Sequence, residues 1–241
     1  MTKTQLLQKW AQTWDDFMGL LFPRLCLACS QPITFDETFI CLDCQTTLPE
    51  TGFHLSKKNL FTERFDGRLP LETAAALFFF TKKSKTQYLI HQIKYEDKRE
   101  VAFELGRCLG QKLAQQPHFQ GIDYIIPVPM HPQKRILRGF NQAEVFADGL
   151  SETMHTPVEA TVLQKIKMTE TQTKMSRLER MRNTEDVFHV TDPSLLSDKN
   201  IVIVDDVMTS GATLESCANA LLEASPSVKI NFATIAFVKM T

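Results

Sequence analysis

No run of apolar residues in this chain approaches the roughly 18 that a membrane-spanning helix needs. A secretion signal is also missing from the reading, because Asp15 and Asp16 interrupt the only candidate apolar region near the start. Neither charge is in excess. The chain carries 27 Lys and Arg against 28 Asp and Glu, a net charge of −1, so the bulk balance does not demand nucleic acid. There is no internal repeat, no low-complexity tract and no long linker. These absences leave a soluble cytoplasmic protein as the expectation, and 241 residues suffice for one sizeable core with an appendage.

The most informative stretch that is present runs from Ile201 to Thr213. Four β-branched apolar residues, Ile201–Val204, predict a strand buried on both faces. Asp205 and Asp206 follow at once, and then a turn of small and hydroxylated residues: Val207, Met208, Thr209, Ser210, Gly211, Ala212 and Thr213. Beyond it, Leu214, Cys217, Ala218, Leu221 and Leu222 recur at helical spacing. Strand, loop and helix in this order put the loop at the carboxyl end of a parallel strand, where open α/β sheets bind ligands. The amides of Thr209–Thr213 would wrap a helix start, whose free N–H groups and dipole hold phosphate. Hydroxyls of Thr209, Ser210 and Thr213 add donors, and Gly211 lets the backbone come close. The two aspartates repel phosphate, so they suit ribose hydroxyls or Mg2+ through water. A sugar phosphate satisfies both halves of the loop.

Cysteine is scarce, and four of the six fall into two pairs, Cys26/Cys29 and Cys41/Cys44. Each pair has the two-residue gap of a metal knuckle, and four thiolates suit tetrahedral Zn2+. Two disulfides are the alternative, which a cytoplasmic chain disfavours. A four-cysteine site has no open position, so it would fold its module rather than catalyse. Cys108 and Cys217 sit alone on apolar helical faces and read as core.

Along the rest of the chain, residues 3–21 predict an amphipathic helix that packs on its own protein or docks on a partner. The stretch Thr46–Pro70 reads as irregular. From Leu71 onward an α/β domain is expected, with a strand at Ala74–Phe80 and two helices through Tyr88–Ile93 and Val101–Leu113. The charged run Lys94–Arg99 between them reads as a solvated junction in preference to basic groups near a ligand. A strand at Tyr124–Pro129, ended by prolines, enters a turn carrying Pro129, Met130, His131, Lys134, Arg135 and Arg138, a second candidate anion site. A helix is expected over about Asn141–Ser151 and a strand over Val158–Leu163. Next comes a basic segment with Lys165, Lys167, Lys174, Arg177, Arg180 and Arg182, read as a loop that leads into a short helix. Asn231–Val238 completes the pattern as a strand beside the central one. The whole predicts a mostly parallel sheet with helices on both sides. The expected division is an N-terminal helix over 1–22, a zinc module with connector over 23–70, and the α/β domain over 71–241.

Ile201–Thr213 resembles the phosphoribosyl pyrophosphate (PRPP) loop of type I phosphoribosyltransferases. With the cysteine pairs, Ile126–Pro129, Arg138-Gly-Phe-Asn-Gln142, Gln172–Thr173 and Arg177–Asn183, nearly the whole chain resembles the ComF family of competence proteins, ComFC type. The resemblance implies a phosphoribosyltransferase-like fold, PRPP and Mg2+ at the acidic loop, and pyrophosphate at the 129–138 turn. It also implies handling of incoming single-stranded DNA in natural transformation, with a helicase-like competence ATPase and the DNA-processing protein DprA as partners. On this reading Asp205 and Asp206 hold the ribose and would favour transfer chemistry. Lys165–Arg182 would contact DNA or close over PRPP. Three readings stay open: DNA handling through a PRPP-binding domain, transfer of phosphoribose to an unknown acceptor, and PRPP sensing without chemistry.

Overall fold

The computed structural model describes residues 23–33, 39–96, 98–165 and 188–239. The predicted helix over 3–21 and most of the basic segment lie outside them. Two compact units divide between Leu48 and Pro49.

In the first unit an isolated bridge pairs Leu25 with Pro32, and one short helix, Leu42–Thr47, follows Cys41. Backbone bonds close turns around the cysteines, such as Ser30 N–H to Cys26 O at 2.7 Å and Leu48 N–H to Cys44 O at 2.9 Å.

The second unit is organised by four parallel strands: β1 (Leu71–Phe80), β2 (Tyr124–Pro127), β5 (Asn200–Met208) and β6 (Lys229–Val238), in spatial order β1-β6-β5-β2. The apolar run predicted this placement for β5, whose Ile201–Val204 are all fully buried. Pleating sends alternate residues to opposite faces. Ile201 and Ile203 join a core with Leu214, Cys217, Ala218 and Leu221 of the helix Ala212–Ala224. Val202 and Val204 point the other way, to the side where the helices Arg99–Ala114 and Gln142–Met154 meet the sheet. Those two helices approach so closely that a Cβ on Gly149 would lie 2.0 Å from Phe103 O, and one on Gly106 would lie 2.3 Å from Phe146 O.

Two expectations are corrected. The strand expected at Val158–Leu163 is instead β3, Leu163–Lys165, antiparallel to β4, Phe188–Val190. Upstream of it Val158 makes only an isolated bridge to Ile125. The reason is local: Glu159 Oε1 accepts from Thr161 N–H at 3.0 Å and Thr161 Oγ1 at 2.6 Å, a side-chain turn that competes with a ladder. The stretch read as irregular up to Pro70 is also better built than it looked. Asn59 closes a capping box on Leu60–Glu63, and Phe61 and Phe65 are fully buried against Phe232, with ring centroids 6.2 and 5.0 Å away. Residues from Pro49 on belong to the second unit. Among the described residues, no helix is long and apolar enough to cross a membrane.

Candidate functional site

The sulfur atoms of Cys26, Cys29, Cys41 and Cys44 all lie within 4.8 Å of one another. None forms a disulfide, and Cys29 Sγ and Cys41 Sγ are 3.7 Å apart. A tetrahedral ion with bonds of about 2.3 Å would hold its sulfurs about 3.8 Å apart, so the set fits a four-thiolate metal centre. Burial raises the Cys26 thiol, yet the amides of Cys41, Ala28 and Cys29 outweigh it and bring the thiol down to about 7. The Cys41 N–H to Cys26 Sγ contact is 3.3 Å. A thiolate stabilised by amides is a ready metal ligand.

The second centre is a cleft of about 200 Å³ at the carboxyl ends of β2 and β5. β5 continues through the two aspartates to Met208, paired with β6 at Asp205, Val207 and Met208, so the acids belong to the strand and not to the loop after it. Asp206 N–H donates to Asp205 Oδ1 at 2.8 Å, and Lys94 Nζ lies 2.9 Å from Asp206 Oδ2. Burial, helped by the neighbouring Asp206 charge, pushes the Asp205 carboxyl up to about 7, against the opposing pull of the Asp206 amide, Lys94 and Lys165.

Across the cleft, the predicted turn after β2 is in fact a short helix, Pro132–Arg138. Helical phase then sorts its cations. Lys134 and Arg138, four apart, line the cleft together with Pro129, Met130 and His131. Arg135 is not among the residues that line it. It forms a two-pronged ion pair with Glu144, at 2.9 and 3.0 Å. Arg138 is braced with its guanidinium 5.5 Å from the Tyr95 ring centroid and Nη1 donating to Gln142 Oε1 at 3.1 Å. Gly139, at φ 77°, turns the chain toward the next helix, where Asn141 caps Ala143 N–H and donates to Val128 O at 3.0 Å.

Of the acidic-loop residues, Asp205, Asp206 and Thr213 line the cleft. Thr209 and Ser210 are exposed beside it, whereas Met208 is buried and serves the core. Val207 is half-buried and Ala212 exposed, and neither side chain lines the cleft. Gly211 caps the helix Ala212–Ala224 at φ 88°, and a Cβ there would meet Phe65 at 2.7 Å. The first intrahelical bond is Glu215 N–H to Gly211 O, so the amides of Ala212, Thr213 and Leu214 have no intrahelical acceptor, and that of Ala212 donates to Ser210 Oγ at 3.4 Å.

Lys165, expected to contact nucleic acid, lines this cleft, with its ammonium 5.7 Å from the Phe188 ring. Lys167, Lys174, Arg177, Arg180 and Arg182 lie outside the described residues. Lys94, Asn141 and Gln142 were not read as site residues, although all three line the cleft. For Lys94 the only signal was the charged run that it begins. For Asn141 and Gln142 it was their position at a helix start beside a basic turn.

Comparison with known proteins agrees with this geometry. Residues 140–240 match the family model described as phosphoribosyl transferase domain. The chain is 29% identical over 217 residues to the DNA utilization protein YhgH of Escherichia coli O157:H7, covering 84% of this chain and 92% of that one. It is 30% identical over 142 residues to competence protein F of Haemophilus influenzae, covering 55% and 60%. With competence protein ComFC of Bacillus subtilis it shares 31% identity over 112 residues, covering 46% and 43%.

Proposed function

The chain belongs to the ComF family of phosphoribosyltransferase-like proteins, and on that footing we propose that its cleft binds PRPP with Mg2+ and that the protein acts in DNA uptake. The observation that carries this reading is the pairing of two carboxylates on β5 with four cations, Lys94, Lys134, Arg138 and Lys165, around one cleft beside a helix start. A ligand with a diol and two separated phosphate groups matches that alternation of charge.

In this reading the amides of Thr209–Thr213, with the hydroxyls of Thr209, Ser210 and Thr213, hold the 5′-phosphate. Asp205 and Asp206 take the ribose hydroxyls. Pro129, Met130 and His131 shape the opposite wall, and Lys134 and Arg138 meet the pyrophosphate. Mg2+, when bound with the ligand, would neutralise pyrophosphate charge, and the aspartates could reach it through water. The four cysteines would hold a structural Zn2+. The protein would work in the cytoplasm on incoming single-stranded DNA, with a helicase-like competence ATPase and the DNA-processing protein DprA as partners. Lys165, which lines the cleft, would lie next to the PRPP site.

Calorimetric titration of PRPP with Mg2+ into the zinc-loaded protein tests the reading. Wild type should bind. Asp206→Ala should lose about ten- to a hundredfold in affinity, the worth of a hydrogen bond to a charged group. A wild-type protein with no measurable affinity would sink the proposal.

A further inference from the structure

Gln142 is 1% exposed and lines the cleft, yet its Nε2 has no hydrogen-bond partner among the described residues. A buried amide nitrogen with nothing to donate to costs stability, and native proteins tolerate such groups mainly where a ligand or water completes them. The orientation of the amide is determined by its neighbour. Arg138 Nη1 donates to Gln142 Oε1 at 3.1 Å, and a flipped amide would set donor against donor. The backbone is equally fixed, because Asn141 ties the helix start to Val128 O and to Ala143 N–H. Gln142 therefore holds a buried N–H donor in the wall of the cleft, next to the Arg138 guanidinium that its own amide oxygen engages.

We infer that Gln142 is a specificity-determining ligand residue, whose Nε2 donates to a non-bridging oxygen of a pyrophosphate group in the cleft. The inference rests on the PRPP reading above and deepens it. Lysines and arginine attract any anion, whereas a neutral amide rewards only an oxygen acceptor at one place. Arg138 and Gln142 together form a fork of donors matched to adjacent phosphate oxygens. The unliganded protein carries the orphan donor, and the bound ligand removes it.

The test uses the full-length, zinc-loaded protein with PRPP and Mg2+, and ribose 5-phosphate as the ligand lacking pyrophosphate. Gln142→Met keeps the volume and deletes the polar atoms. Gln142→Glu keeps an acceptor for Arg138 and deletes the donor. Both variants should bind PRPP at least about tenfold more weakly. Ribose 5-phosphate affinity should stay within about twofold in the Met variant. The unliganded Met variant should melt no lower than wild type, since the orphan group is gone. Wild-type-like PRPP affinity in the Met variant would overturn this inference alone. So would an equal loss for ribose 5-phosphate, or a fall in melting temperature of several degrees in both variants, which would mark the amide as structural. Failure of the wild type itself to bind PRPP would overturn the inference together with the reading beneath it.

Discussion

Asp205 is held at a protonation balance that the folded chain resists. Its carboxyl titrates at about 7 in the fold, against an ordinary value of 3.8, because burial and Asp206 both disfavour its charge. The folded state therefore binds a proton that the unfolded chain has already released between pH 4 and 7, and stability is lost as the pH rises through that window. Asp205→Asn should relieve this. Relative to wild type, the variant should gain little near pH 4 and about 1–2 kcal/mol above pH 7, read by urea denaturation at several pH values. The same variant should bind Mg2+ with PRPP more weakly. A cost in stability that is recovered in binding is the signature of a ligand residue.

Among the elements, the helix pair Arg99–Ala114 and Gln142–Met154 sets the position of one wall of the cleft. The pair touches through Gly106, Gly110 and Gly149, where a Cβ would meet backbone or Thr153 Oγ1 at 2.0 to 2.3 Å. Gly149→Ala should force the helices apart and cost about 1–3 kcal/mol, seen as a lower thermal midpoint. The shift would carry Asn141 and Gln142 with it, so PRPP affinity should fall although residue 149 is distant from the ligand. These glycines gave no sign of this role in the sequence, where the helices were legible from apolar spacing alone. Close approach is a property of two elements together. The same holds for Lys134, Arg135 and Arg138. Read as a turn, they formed one cationic group. As a helix, they divide, with Arg135 turned to Glu144.

For the molecule as a whole, the two compact units make separable predictions. Metal analysis should find one zinc ion per chain. Chelation, or Cys44→Ser, should abolish amide protection over the described residues between 23 and 48, because a four-thiolate ion supplies most of the order of so small a unit. Protection in the strands Leu71–Phe80, Asn200–Met208 and Lys229–Val238 should persist, as their core is built from their own side chains. Hydrogen exchange with mass spectrometry reads both outcomes at once.

The sequence alone determined whatever depends on neighbours along the chain. The Ile201–Val204 run specified a doubly buried strand because four β-branched apolar residues cannot face water. The two C-x2-C pairs predicted a cluster of four sulfurs, because their spacing already brings each pair together, and all four do lie within 4.8 Å of one another. The aspartates followed by a hydroxyl-rich, glycine-containing turn marked the passage from a strand end to a helix start for the same reason. Tertiary structure alone decided which distant groups meet. It brought Lys94 to Asp206 from a helix far away in the chain, and it buried Phe61 and Phe65 from a stretch that looked irregular. It also left Gln142 Nε2, in the lining of the cleft, without a hydrogen-bond partner among the described residues. Spacing along a chain encodes local shape, whereas contact, burial and a missing hydrogen bond exist only once separate elements have packed.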